Sequence, residues 1–186
     1  MSTPATEKKR HALCLPFPAQ GHISPMLTLA KLIHASGFHV TFVNTEFNHR
    51  RLIRSHGPTS LSAQADFQYM TIPDGLPYCD EDATQDIVSL CCSTRNTCLP
   101  HFRDLLDRLN EPGAGIPGVT CIIADPLMSF ALDAAKEIEV PCSLVWFSNA
   151  YTLMGYLKCP ELISRGLAPL EGMQYNRGIH HLCSTT

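Results

Sequence analysis

Two side chains in this sequence stand out for the chemistry they could do together. One is a histidine, His22, in the stretch PFPAQGHISPM (16–26). The other is an aspartate, Asp125, in the stretch IIADPLM (122–128). A carboxylate that accepts a hydrogen bond from one imidazole nitrogen fixes the tautomer. It also stabilises the imidazolium formed when the other nitrogen takes a proton. Such a pair is a general base and its orienter. No nucleophile accompanies it: the chain has no Gly-x-Ser-x-Gly elbow, and no cysteine sits in either stretch. The pair therefore suits removal of a proton from a bound substrate hydroxyl, not covalent catalysis. Plainer readings stand beside this one. His22 is also placed to be a helix-start histidine with its ring in solvent. Asp125, directly before Pro126, is a good helix N-cap.

The two residues meet only if the fold brings their stretches together, and the element pattern predicts that it does. Residues 11–17 are a continuous apolar run, as a central parallel strand requires. Pro16 and Pro18 end it. Helical spacing of Ile23, Met26, Leu27, Ala30 and Ile33 predicts a helix over 23–36, with Ser24 and Pro25 at its start and Gly37 as its stop. HVTFVN (39–44) is a β-branched strand, which completes a βαβ unit with a right-handed crossover. A polar helix or loop over 45–56, a strand over 67–72 and a loop over 73–82 follow. A long helical segment over 83–110 is kinked or restarted at Pro100. After a surface loop come a strand over 119–124, a helix to about 139, a strand over 140–147, and a helix over 148–157 that 161–165 extends.

Strands alternating with helices predict an α/β fold, a Rossmann-like doubly wound parallel sheet. The expected strand order is 3-2-1-4-5. The winding then reverses between strands 1 and 4, and the crevice at that switch point is where ligands sit. The turns that open into it are 16–26 and 125–126. With a single glycine, Gly21, and no G-x-G-x-x-G or Walker loop, the first turn is no dinucleotide cradle.

Composition narrows the rest. Apolar residues make up 45% and charged residues 17%, and the formal net charge is −3 with no dense basic run. That argues against nucleic acid or an anionic membrane as partner. No stretch is apolar for long enough to span a bilayer, and the N-terminus has no hydrophobic signal region. A cytoplasmic monomer is expected. The nine cysteines are odd in number and lack metal-type spacing, so they read as reduced thiols. His180, His181 and Cys183 form a terminal cluster that reads as disorder before it reads as a metal site. The expected organisation is a flexible arm over 1–10, one domain over 11–170 and an atypical tail over 171–186.

The run PFPAQGHISPMLTLAKLIHASGFHVTFVNTEFNHRRL, with FQYMTIPDGLP, VTCIIADPLMSFALDAAKEIEVPCSLVWFSNA and ISRGLAPL, resembles the N-terminal domain of plant UDP-dependent glycosyltransferases of small molecules. The resemblance covers residues 10–170. It is nearest the subgroup that glucosylates terpenoid alcohols, cyanohydrins and flavonoid-like phenols. It implies the N-terminal, acceptor-binding half of a GT-B fold. His22 matches the base that deprotonates the acceptor hydroxyl, and Asp125 matches its partner. Gln20, Gly21 and Ser148 match positions around the substrates, Ser148 toward the donor sugar. The implied reaction transfers a hexose, expected to be glucose, from a UDP-sugar with inversion. It needs no metal and no cofactor beyond that co-substrate, and its partners are a small-molecule acceptor and a UDP-sugar. Family chains are more than twice as long. Their donor-binding box, with a tryptophan that stacks on uracil, has no match here, so a fragment or an acceptor-binding half without transferase activity is the expected product.

Overall fold

His11–Leu15 forms β1, with all five residues buried. It is central, pairing with β2 (His39–Thr45) on one side and β4 (Cys121–Ala124) on the other. β3 (Phe67–Ile72) lies outside β2, and β5 (Cys142–Leu144) lies outside β4. The order is β3-β2-β1-β4-β5, with every pair parallel. This is the expected doubly wound sheet. Its reversal falls between β1 and β4, and β1's continuous apolar run follows from burial on both faces. The computed structural model describes residues 9–57, 65–78 and 85–167. Most of the expected arm, all of the expected tail and the His180–His181–Cys183 cluster lie outside the described residues.

Alternation along the strands sends side chains to two separate cores. On one face Cys14, Val40, Phe42 and Phe67 meet Ile23, Met26 and Ala30 of α1 (Gln20–Ala35). On the other, Leu13, Leu15, Val43 and Ile122 meet Phe102, Leu105 and Leu106 of α3 (Ile87–Asn110), together with Ala131 and Ala134 of α4 (Phe130–Glu137). α2 (Glu46–His56) follows β2 directly, and the Thr45 side chain caps it by accepting from Asn48 N.

Several predicted boundaries move, each for a local reason. α1 starts at Gln20, three residues earlier than predicted, because Ala19 O already accepts from both His22 N and Ile23 N at 2.9 Å. The N-cap is Ala19, which offers no side-chain hydrogen bond, and Pro25 lies inside the helix. His22 is thus in the first helical turn, not in a loop. α3 starts at Ile87, where Asp86 accepts from Ser89 N at 2.8 Å. It runs through Pro100 unbroken, because Cys98, Phe102 and Leu105 bury on both sides of that proline. The segment after β4 is a short 3-10 turn (Pro126–Met128) before α4, not one helix. β5 has three residues where eight were predicted. It is an edge strand paired only to β4, with Ser143 and Leu144 exposed. α5 (Ala150–Ser164) continues through Pro160 and buries none of its residues. Among the described residues no helix is long and apolar enough to cross a membrane, and no three-residue metal-type cluster occurs.

Candidate active site

Asp125 is the first residue past β4, and its backbone N–H donates to Leu15 O at 2.9 Å, so it is tied to the end of β1. The side chain is buried, with 1% of the residue exposed. One carboxylate oxygen, Oδ1, accepts from Leu127 N at 3.0 Å and caps the 3-10 turn. The other, Oδ2, accepts from His22 Nδ1 at 2.7 Å. One oxygen therefore caps the turn and the other accepts from His22.

His22 stands on the other side of the switch point. Phe17 meets its ring edge-on, with centroids 5.4 Å apart. Its side chain is 36% exposed, so the ring is clamped by Phe17 and Asp125 and remains open toward the crevice. An ionised carboxylate is acceptor-only, so Nδ1 donates in this bond. The ring is anchored at Nδ1 and accessible from the crevice.

The crevice around this pair is lined by Gly21, His22, Asp125, Pro126, Trp146, Phe147 and Ser148, with a volume of about 250 Å³. That is below the roughly 300–1,000 Å³ of a complete small-molecule site. A larger cavity lies beside β3 and α3, away from the pair. Four of the five sequence-predicted site residues thus share one cavity. Gln20 does not join them. Its Nε2 donates to Ser24 Oγ at 2.9 Å, and it lines a groove between α1 and α2 instead. The early start of α1 is the cause, since it turns residue 20 to a different side of the helix from residue 22.

Trp146 and Phe147 were not singled out from the sequence as wall residues. The available signal was their place at the carboxyl end of the strand that precedes Ser148, where a doubly wound sheet displays its ligand contacts. Trp146 is positioned by its indole N–H, which donates to Thr152 Oγ1 at 3.3 Å, and by Tyr156, ring to ring at 5.6 Å.

A parallel sheet of this order, with a histidine hydrogen-bonded to a buried carboxylate at its switch point, places a ligand crevice between β1 and β4. The family model described as "Glycosyltransferase, N-terminal domain" matches residues 11–156, which include both members of the pair. The chain belongs to the plant UDP-dependent glycosyltransferases, and the described residues form their N-terminal, Rossmann-like domain. Over 176 residues it is 53% identical to 7-deoxyloganetin glucosyltransferase of Gardenia jasminoides, covering 94% of this chain and 37% of that one. It is 50% identical over 171 residues to (R)-mandelonitrile beta-glucosyltransferase of Prunus dulcis, covering 92% and 35%. Among solved structures, UDP-glucose: anthocyanidin 3-O-glucosyltransferase in complex with UDP is 25% identical. It superposes with a TM-score of 0.66 over 87% of this chain and 35% of that one. The chain therefore spans 37% and 35% of the length of these two curated relatives.

Proposed function

We propose that this chain is the acceptor-activating part of a UDP-glucosyltransferase of small hydroxylated molecules. The observation that carries the reading is the 2.7 Å bond from His22 Nδ1 to a carboxylate that is itself fixed at the end of β4. The acceptor hydroxyl gives its proton to His22 Nε2 as its oxygen attacks the anomeric carbon of the sugar. The bond from that carbon to the UDP oxygen breaks, UDP leaves with the electron pair, and the anomeric configuration inverts. Asp125 holds the ring and stabilises the imidazolium. No metal or further cofactor enters this step.

Trp146 and Phe147 give the crevice an aromatic wall, which suits an acceptor with an apolar body. Ser148, exposed at the mouth, is placed to meet the donor sugar, and Gly21 keeps the floor of the turn free of a side chain. By their names the relatives glucosylate 7-deoxyloganetin and (R)-mandelonitrile. Small alcohols of that kind are the acceptor class we assign.

In a second reading these 186 residues by themselves bind the acceptor and transfer no sugar, since the crevice beside His22 holds about 250 Å³, less than a complete small-molecule site. One experiment separates the two. The chain is assayed with UDP-glucose and a small set of terpenols, phenols and cyanohydrins, alone and joined to the remaining part of the Gardenia relative. Transfer is expected only in the joined protein. Absence of transfer from the joined, folded protein contradicts the glucosyltransferase reading. Turnover by the 186 residues alone contradicts the second.

A further inference from the structure

The side chain that meets His22 from the flank is an apolar one. Phe17 is 1% exposed and belongs to the core on the α3 face, with Leu15, Met128 and Phe130. Its ring stands against the imidazole with centroids 5.4 Å apart and planes at 73°. That lies within the roughly 4.5–7 Å over which such aromatic pairs attract. Phe17 does not line the crevice, so it meets His22 without meeting a ligand there.

The chain fixes Phe17 from both sides. The ring of Pro16 locks its own φ, and Pro18 restricts the residue before it to extended backbone. Phe17 O accepts from Ala19 N at 2.8 Å, and Ala19 O accepts from His22 N at 2.9 Å. Two backbone bonds therefore tie the phenylalanine to the first turn of α1, which carries the histidine.

A single hydrogen bond from Nδ1 to Asp125 Oδ2 holds only one corner of the imidazole. It leaves the ring free to tilt about that corner and to turn about Cβ–Cγ, a torsion with broad wells. The His22 side chain is 36% exposed, so water offers competing partners. A buried ring packed at its flank removes that freedom. We propose that Phe17 is a positioning residue for His22, a second support that keeps the Asp125-bonded imidazole in one orientation toward the crevice. The consequence for transfer rests on the proposed function; the orientation itself does not.

The first measurement is made on the ¹⁵N-labelled 186-residue chain, from the ring nitrogens of His22, identified by their loss in His22→Gln. The parent should show one tautomer, with the proton on Nδ1. Phe17→Leu, apolar but without a ring, should admit the second tautomer to about a tenth of the population. Phe102→Leu removes a different ring from the same core, one that meets Phe130, and should keep the parent tautomer despite a similar fall in urea midpoint. Phe17→Ile carries the same expectations if Phe17→Leu does not fold. In the chain joined to the remaining part of the Gardenia relative, Phe17→Leu should lower kcat about tenfold with acceptor KM within about twofold, because Phe17 touches the base and not the ligand. Phe102→Leu should leave both within about twofold. A single, parent-like tautomer in Phe17→Leu overturns the inference. So does an equal tautomer change, or an equal fall in kcat, in Phe102→Leu. If His22→Ala leaves kcat unchanged, the proposed function fails and the ring nitrogens alone decide the role of Phe17. Where His22→Ala loses activity, a Phe17→Leu enzyme as fast as its parent also overturns it.

Discussion

The two walls of the crevice are built to different standards. On the β1–β4 side, every residue of β1 is buried, Asp125 is 1% exposed, and both of its carboxylate oxygens are engaged. On the β5–α5 side, the strand is three residues long, Ser148 is exposed, and no residue of α5 is buried; Tyr151, Met154 and Leu157 are exposed. Under the proposed function, His22 is a base that must be held in one orientation, and its wall is fully packed. Under the same proposal, Ser148 meets a donor sugar and needs no such packing until that donor arrives. The first wall is packed by the residues described here, and the second presents a surface.

If that contrast is right, perturbations should divide sharply between the walls. The largest effect belongs to the packing behind β4. Phe102 is fully buried and meets Phe130 edge-on with centroids 5.7 Å apart. Phe102→Ala should cost about 3–5 kcal/mol, read as a fall in the urea midpoint at unchanged slope. A loss under about 1 kcal/mol would mean that α3 is not part of the rigid wall.

Next comes Gly75, in the loop between β3 and α3. Its φ is +75°, and a Cβ there would stand 2.6 Å from Ser93 Oγ and closer still to Thr97 Oγ1. Neither hydroxyl moves freely, since Ser93 Oγ donates to Asp74 O and Thr97 Oγ1 to Ser93 O, each at 2.8 Å. Gly75→Ala should therefore destabilise by about 1–3 kcal/mol. A thermal midpoint equal to that of the parent chain would contradict this.

A pH effect of intermediate size comes from the far end of β1. Burial lowers the His11 pKa from 6.5 to about 4. Its Nδ1 donates to Pro117 O at 2.7 Å, and its Nε2 meets the Thr41 hydroxyl at 2.8 Å, so the ring is held neutral. An unfolded histidine takes its proton near pH 6.5, and native His11 does so only near pH 4. Between those values the unfolded chain binds more protons, so stability falls as pH drops through that window and is flat above it. Burial moves His39 and His49 in the same direction. Urea midpoints measured from pH 8 to pH 4 should be level to about 6.5 and then decline. A midpoint that holds level down to pH 4 would contradict the buried-histidine account.

The smallest effect should come from α5. Leu157→Ser should change stability by less than about 0.5 kcal/mol, because the side chain is 64% exposed and the helix contributes nothing to either core. A loss comparable to that of Phe102→Ala would erase the distinction between the walls.

Much of the first wall was legible in the sequence. The continuous apolar run of β1 predicted a buried central strand, the β-branched run of β2 a second one, and alternation with helices predicted the doubly wound sheet, hence the meeting of His22 and Asp125. The second wall was less legible. Val140–Phe147 reads as a full strand by its β-branched and apolar content, yet an edge position leaves only Cys142–Leu144 paired. The start of α1 was also misplaced. Ser24-Pro25 is a good local start signal, but the Ala19 carbonyl, fixed by the turn after β1, nucleates the helix first. That shift of three residues separates Gln20 from the crevice. Ser24 and Pro25 alone do not show it, since it depends on the turn after β1, which the Asn48 side chain at the start of α2 ties down by donating to Pro18 O.

The central claim is that His22 is the base and that Asp125 makes it one. It is tested most directly by the rate of glucose transfer in the protein joined to the remaining part of its Gardenia relative, with saturating UDP-glucose and a small alcohol acceptor. His22→Ala should lower kcat about 10²–10⁴-fold with KM for the acceptor little changed. Asp125→Asn, which keeps shape and loses the charge, should give a smaller loss in the same constant. A His22→Ala enzyme with kcat within about threefold of the parent would contradict the claim.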